Sequence, residues 1–373
     1  MLMNTVKALS EFGQSIWFDY IRRDMLVSGE LARLLEVDGI RGVTSNPSIF
    51  QAAISDGDEY LQDIRDAAAA GLSVIDTYEK LAIADIQQAC DILRPVFDAT
   101  DGSDGYVSME VSPYLARKTE ATIEEARRLF SRIQRPNVMI KVPATLEGLP
   151  AIQTLIADGI NINVTLLFSV EMYRKVMEAY LSGLEMRAET SDLSKGSVSV
   201  ASFFVSRVDT LADELLEKQI TLQKDDKRKQ EMQSYIGTSA VANARLAYET
   251  YVAVFNTDRY KKLAALGARK QRILWASTST KNPDFPDIKY VQDLIALDSV
   301  NTVPPAALDA FRDHGVVENA LAVPAADAAI LEKFEQFGVP IEQVTAQLLD
   351  EGVDKFSKAF DQLLAAIQKK MKG

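Results

Sequence analysis

The chain has 373 residues, 47% of them hydrophobic and 25% charged, which are the proportions of a globular protein with a sizeable core. Its net charge of −12 excludes a general nucleic-acid binder, which needs a basic face. A single cysteine, Cys90, excludes an internal disulfide, and a single histidine, His314, at a helix end or turn, argues against a histidine-based triad and excludes a multi-histidine metal site.

Eight short strand candidates follow one another along the chain, at 15–21, 42–46, 106–111, 137–143, 162–168, 199–204, 272–277 and, more weakly, 299–304. Amphipathic periodicity fills the gaps, for example over 123–130, 170–186 and 207–216. Strands alternating with helices imply a parallel sheet, and eight such units predict a single closed (β/α)8 TIM barrel spanning 1–373, with an open doubly wound sheet as the alternative. The segment 54–97 exceeds a minimal barrel and reads as more than one helix. The polar stretch 218–235, with Lys224-Asp225-Asp226-Lys227-Arg228-Lys229, reads as a solvated insertion. Around 355–371, Phe356, Phe360, Leu363 and Ile367 form one stripe, so a C-terminal helix is expected to dock on the barrel. Cys90 lies in a helix-like segment as a small buried hydrophobe, and His314 at a helix end or turn. No stretch is apolar enough to span a bilayer, no signal h-region opens the chain, and no Walker loop or GxGxxG is present. The expectation is a cytoplasmic protein without membrane or nucleic-acid partners, working as a monomer or homodimer.

The fourth strand carries Lys141 among apolar neighbours. Burying an ammonium is costly, and apolar surroundings lower a lysine's pKa, so a buried amine is a candidate nucleophile for carbonyl chemistry. The bland alternative is a lysine snorkelling from a strand end. Other strands carry polar residues in their middle or later half: Asp19, Asn46, Glu110, Asn163 with Thr165, and Ser202. Asn46 before Pro47 also suits a turn, Thr165 a plain β-former and Ser202 a small filler. Barrel closure brings all of them to one mouth, where barrel chemistry sits. Arg207, opening a helix after the sixth strand, can grip a phosphate or pair with Asp209 or Glu214.

Two motifs resemble the signatures of the transaldolase family: Gly42-Val43-Thr44-Ser45-Asn46-Pro47-Ser48-Ile49-Phe50 and Val138-Met139-Ile140-Lys141-Val142-Pro143-Ala144-Thr145-Leu146-Glu147-Gly148. Asn163-Val164-Thr165-Leu166-Leu167-Phe168-Ser169 is a third matching block, and the order of blocks fits over about 10–310, most similar to the longer bacterial branch. The resemblance implies a transferase of the pentose shunt that needs neither metal nor other cofactor. Lys141 is then the Schiff-base lysine, Asp19 the base at the C4 hydroxyl of the ketose, and Glu110 and Thr165 the holders of the water used in imine formation and hydrolysis. Asn46 and Asn163 are implied to bond the hydroxyls of the bound three-carbon unit, Ser202 and Phe204 to line the site, and Arg207 to hold the substrate phosphate. Shorter members carry a second phosphate arginine after the seventh strand; here Lys281, assisted by Ser277, stands as its substitute. A related fructose 6-phosphate aldolase is the nearest competitor, but that group has a glutamine where Glu110 stands and a tyrosine where Phe204 stands. A non-catalytic sugar-phosphate-binding barrel and a metal-dependent hydrolase are further alternatives.

Overall fold

The computed structural model describes residues 4–194, 196–321 and 326–372. Eight parallel strands run in sequence order round a closed barrel: β1 (Gln14–Phe18), β2 (Gly42–Val43), β3 (Tyr106–Glu110), β4 (Val138–Pro143), β5 (Ile162–Leu167), β6 (Ser199–Phe204), β7 (Arg272–Ala276) and β8 (Ser299–Val303). β8 pairs with β1 over five residues and closes the ring. All eight expected strands are present, including the weakest. β2 is shorter than the pattern suggests, because Asn46 has left the strand and caps the helix Pro47–Asp56 by accepting from the Ile49 N–H at 3.0 Å.

Alternate strand residues point into the barrel. At its N-terminal end one buried carboxylate gathers several donors. Asp104, just before β3, accepts hydrogen bonds from Ser15 (2.7 Å), the Trp17 indole (3.1 Å) and Arg272 (2.8 Å). Gly42 makes room for Trp17, since a Cβ at this position would lie 2.4 Å from its ring.

Three helices, Pro47–Asp56, Leu61–Ala69 and Val74–Ala99, occupy the long segment between β2 and β3. The polar stretch at 218–235 is the end of the helix Ser206–Leu222 followed by the short helix Asp226–Gln233. Arg228 of the short helix lies over the Phe337 ring, and Glu231 pairs with Lys333.

The C-terminal helix runs from Ile341 to Lys372, longer than its apolar stripe suggests, because the stripe is interrupted at Gly352 and resumes N-terminally with Leu348, Val344 and Ile341. Phe356, Phe360, Leu363 and Ile367 are buried as expected, each contributing about 1.5–3 kcal/mol. Phe360 packs edge-on against Tyr78 and Tyr114, and Lys370 donates to the carbonyls of Ile54 and Gly57.

β5 is irregular. Val164 pairs with Ala201 but Leu167 with Phe203, so β5 spends one residue more than β6. The extra turn falls at Leu166, whose φ of 55° is left-handed. No helix among the described residues is long and apolar enough to cross a membrane.

Candidate active site

β3 and β4 pair with Glu110 opposite Lys141, and β4 and β5 with Lys141 opposite Asn163. This register puts an amine, a carboxylate and an amide in one layer near the C-terminal mouth. The Lys141 Nζ donates to the Ser45 carbonyl at 3.0 Å and lies 3.6 Å from Glu110 Oε2, with both side chains almost fully buried. Neither Glu110 oxygen makes a hydrogen bond within the protein, and the buried Thr165 hydroxyl has no protein partner either. Burial pushes the Glu110 carboxyl up to about 7, against the opposing pull of Lys141.

Asp19 follows β1 and is half-buried at the cavity wall. The Thr44 hydroxyl donates to its Oδ1 at 2.6 Å and is itself 2.6 Å from the Thr302 hydroxyl. Since Thr44 gives its one proton to Asp19, Thr302 is the donor of the second bond. Enclosure by protein raises the Asp19 pKa above the ordinary value, and the charge of Lys141 opposes that rise.

These groups surround a cavity of about 340 Å³ lined by Asp19, Asn46, Lys141, Ser202, Phe204, Arg207, Ser277 and Lys281. Arg207 makes no ion pair among the described residues. Its guanidinium sits 5.2 Å over the Phe204 ring, and burial lowers its pKa from the ordinary value. The surface-pair alternative for Arg207 fails, because Asp209 binds Ser239, the Ala240 N–H and Tyr290, while Glu214 pairs with Lys218. A half-buried guanidinium that faces a cavity without an ion pair has the chemistry to take an anion. Lys281 is exposed at the rim, 2.7 Å from the Ser279 hydroxyl. Ser277 takes a left-handed φ of 56°, and its hydroxyl is 3.0 Å from that of Ser206, which opens the helix carrying Arg207.

Asn46 reaches the cavity with its amide NH₂, its oxygen being spent on the helix cap. Asn163 lies behind the cavity wall: it donates to Ser108 at 3.0 Å and accepts from Ser202 at 2.7 Å. Glu110 and Thr165 also sit behind the lining, next to the amine. Thr44 and Thr302, which orient Asp19, and Phe356, which closes one wall from the C-terminal helix, went unrecognised in the sequence. Thr44 lies inside a motif already singled out, whereas Phe356 reads only as part of a docking stripe. A larger groove of about 640 Å³ lies between the helices Val170–Ala188 and Ser239–Val254, but it shares no lining residue with the lysine cavity. Among the described residues no three His, Cys, Asp or Glu side chains are grouped to hold a metal ion.

Fold and site together define a (β/α)8-barrel enzyme whose cavity gathers an amine, a carboxylate and a guanidinium with no ion pair among the described residues. The sequence model of the transaldolase/fructose-6-phosphate aldolase family matches residues 16–367, and the chain belongs to that family. It is 44% identical to a transaldolase of Trichodesmium erythraeum (strain IMS101), covering 100% of this chain and 99% of the relative. A transaldolase of Thermobifida fusca (strain YX) is 47% identical over 98% of both chains, and one of Acidothermus cellulolyticus is 48% identical over 97% of this chain and 96% of its own length.

Proposed function

We propose that this chain is a transaldolase that moves a dihydroxyacetone unit from a ketose phosphate, sedoheptulose 7-phosphate or fructose 6-phosphate, to an aldose phosphate, glyceraldehyde 3-phosphate or erythrose 4-phosphate. The observation that carries the reading is the buried Lys141 amine, 3.6 Å from a Glu110 carboxyl raised to about 7, in the same cavity as Asp19. Lys141 attacks the ketose C2 carbonyl, and the carbinolamine loses water to give the imine. Glu110, with a pKa near neutrality, can both give and take the proton this requires, and the Thr165 hydroxyl helps hold the water.

Asp19 then removes the C4 hydroxyl proton. The C3–C4 bond breaks, its electrons pass into the protonated imine, and the aldose phosphate departs. Thr44 occupies Asp19 Oδ1, which leaves Oδ2 for the transferred proton. The enamine left on Lys141 adds to the aldehyde of the acceptor, Asp19 returns the proton, and water releases the new ketose. Asn46 holds the hydroxyls of the three-carbon unit through its free NH₂, and Asn163 does so by exchanging a bond with Ser108 or Ser202. Arg207 takes the phosphate in a bidentate grip, with Lys281 and Ser277 as further ligands. We place this activity in the cytoplasmic pentose shunt, carried out by one domain spanning the chain, as monomer or homodimer.

Borohydride reduction in the presence of fructose 6-phosphate should add one reduced three-carbon or six-carbon unit at Lys141, read by peptide mass spectrometry. No adduct, or an adduct on another residue, overturns the reading. The aldolase alternative predicts free dihydroxyacetone without any acceptor. Glu110 and Phe204 favour transfer, and the measurement is dihydroxyacetone release with and without glyceraldehyde 3-phosphate.

A further inference from the structure

Two non-glycine residues near the cavity adopt left-handed backbone, Ser277 on its wall and Leu166 next to Thr165. A left-handed leucine is sterically unfavourable and persists only where its surroundings hold it. Leu166 is buried, and what faces it is Gly352, near the middle of the C-terminal helix. A Cβ on Gly352 would come within 2.9 Å of Leu166 Cδ2. A glycine inside a helix weakens that helix, so the position is more consistent with the needs of its neighbour than with those of the helix itself.

Leu166 is also where β5 gains its extra residue against β6. A bulge re-aims the side chains beside it. The side chain just before the turn is Thr165, whose buried hydroxyl has no hydrogen-bond partner among the described residues, so its direction follows the backbone and the packing around it. On its other flank, Thr165 is fixed by its carbonyl, which accepts from the Ala144 N–H at 2.7 Å.

We propose that Gly352 and Leu166 are positioning residues: the C-terminal helix seats Leu166 in the space left by Gly352, which holds the β5 bulge and aims the Thr165 hydroxyl at the water steps of the lysine chemistry. This rests on the role assigned to Thr165 under the proposed function. It gives the C-terminal helix a task beyond covering the barrel, and it predicts that a methyl group added outside the cavity alters turnover without altering substrate binding.

The test is Gly352→Ala, which improves helix propensity and so should not lower the melting temperature. Its kcat should fall about tenfold with the KM for fructose 6-phosphate within about twofold, since sub-ångström misplacement acts on the reacting geometry. Leu166→Ala in the Gly352→Ala background makes room for the added methyl and should recover most of the loss. In a Thr165→Ala background, Gly352→Ala should cost nothing further. An unchanged kcat in Gly352→Ala overturns the proposal, and so does a full loss that persists when Thr165 is already gone. If the variant melts early, the test is Leu166→Ala alone, which empties the seat beside Gly352: kcat should fall with the KM for fructose 6-phosphate within about twofold, and an unchanged kcat overturns the proposal. Failure of borohydride trapping in the unaltered protein instead sinks the lysine reading itself, so the two failures are distinguishable.

Discussion

At the N-terminal end of the barrel, Asp104 is enclosed by three donors from Ser15, Trp17 and Arg272, so its charge is matched by neighbours. At the C-terminal end, Glu110 is as deeply buried, yet among the described residues its oxygens have no hydrogen bond and Arg207 has no ion pair. Both ends bury acids and bases inside the same ring of strands. The difference is where the charged groups spend their bonds: Asp104 and Arg272 spend theirs on each other and on neighbours, whereas Glu110 and Arg207 keep theirs unspent at or beside the cavity. Buried charge by itself is therefore no mark of a site, whereas buried charge with unspent bonds is.

The contrast can be broken most forcefully at Lys141. Lys141→Met should lower kcat by at least about 10⁴-fold while keeping the fold, because the imine-forming amine is replaced by an apolar chain of similar length. Steady-state kinetics beside thermal unfolding checks both halves, and a protein that keeps measurable turnover contradicts the assignment. Asp104→Asn should do the opposite. Leaving the buried Arg272 poorly matched costs about 3–5 kcal/mol in urea unfolding, with kcat per folded molecule unchanged.

Arg207→Ala should raise the KM for a phosphorylated ketose by about 10- to 100-fold, the value of a lost charge-assisted contact of about 1.5–3 kcal/mol, with a smaller change in kcat. Equal KM values in the two proteins would place the phosphate elsewhere. The smallest effect concerns pH. The Glu110 carboxyl rises from 4.5 to about 7 on folding, so between those pH values the native state keeps a proton the unfolded chain gives up. Stability therefore falls as pH rises through that window. Glu110→Gln lacks the fall, and its stability relative to the unaltered protein should improve by about 1–2 kcal/mol from pH 6 to pH 8. Chemical denaturation at the two pH values reads this directly, and a pH-independent difference would argue that Glu110 stays ionised.

The eight strands and the polar residues on them were legible because both follow a short period and turn signals that need no knowledge of distant contacts. Lys141, Asp19 and Arg207 stood out as charges in or beside apolar runs. Asn46 was legible only as a polar residue before a proline; that it caps a helix with its oxygen and faces the cavity with its nitrogen depends on local backbone geometry. The partnership of Thr44 with Thr302 was not legible, because it joins β-strand ends about 258 positions apart through barrel closure. Phe356 was read as packing and does pack, yet it also lines the cavity, and a stripe of apolar residues does not say which of them meets a void. The N-terminal half of the last helix was missed because Gly352 breaks the apolar pattern, for a reason that lies on another element.

The order in which the segments leave the ribosome gives the wall formed by Phe356 a further meaning. Every strand of the ring is made before the helix Ile341–Lys372. The strand ends that carry Lys141 and Glu110 are therefore translated before the residue that walls them in, and a chain lacking this helix would leave that side of the cavity open.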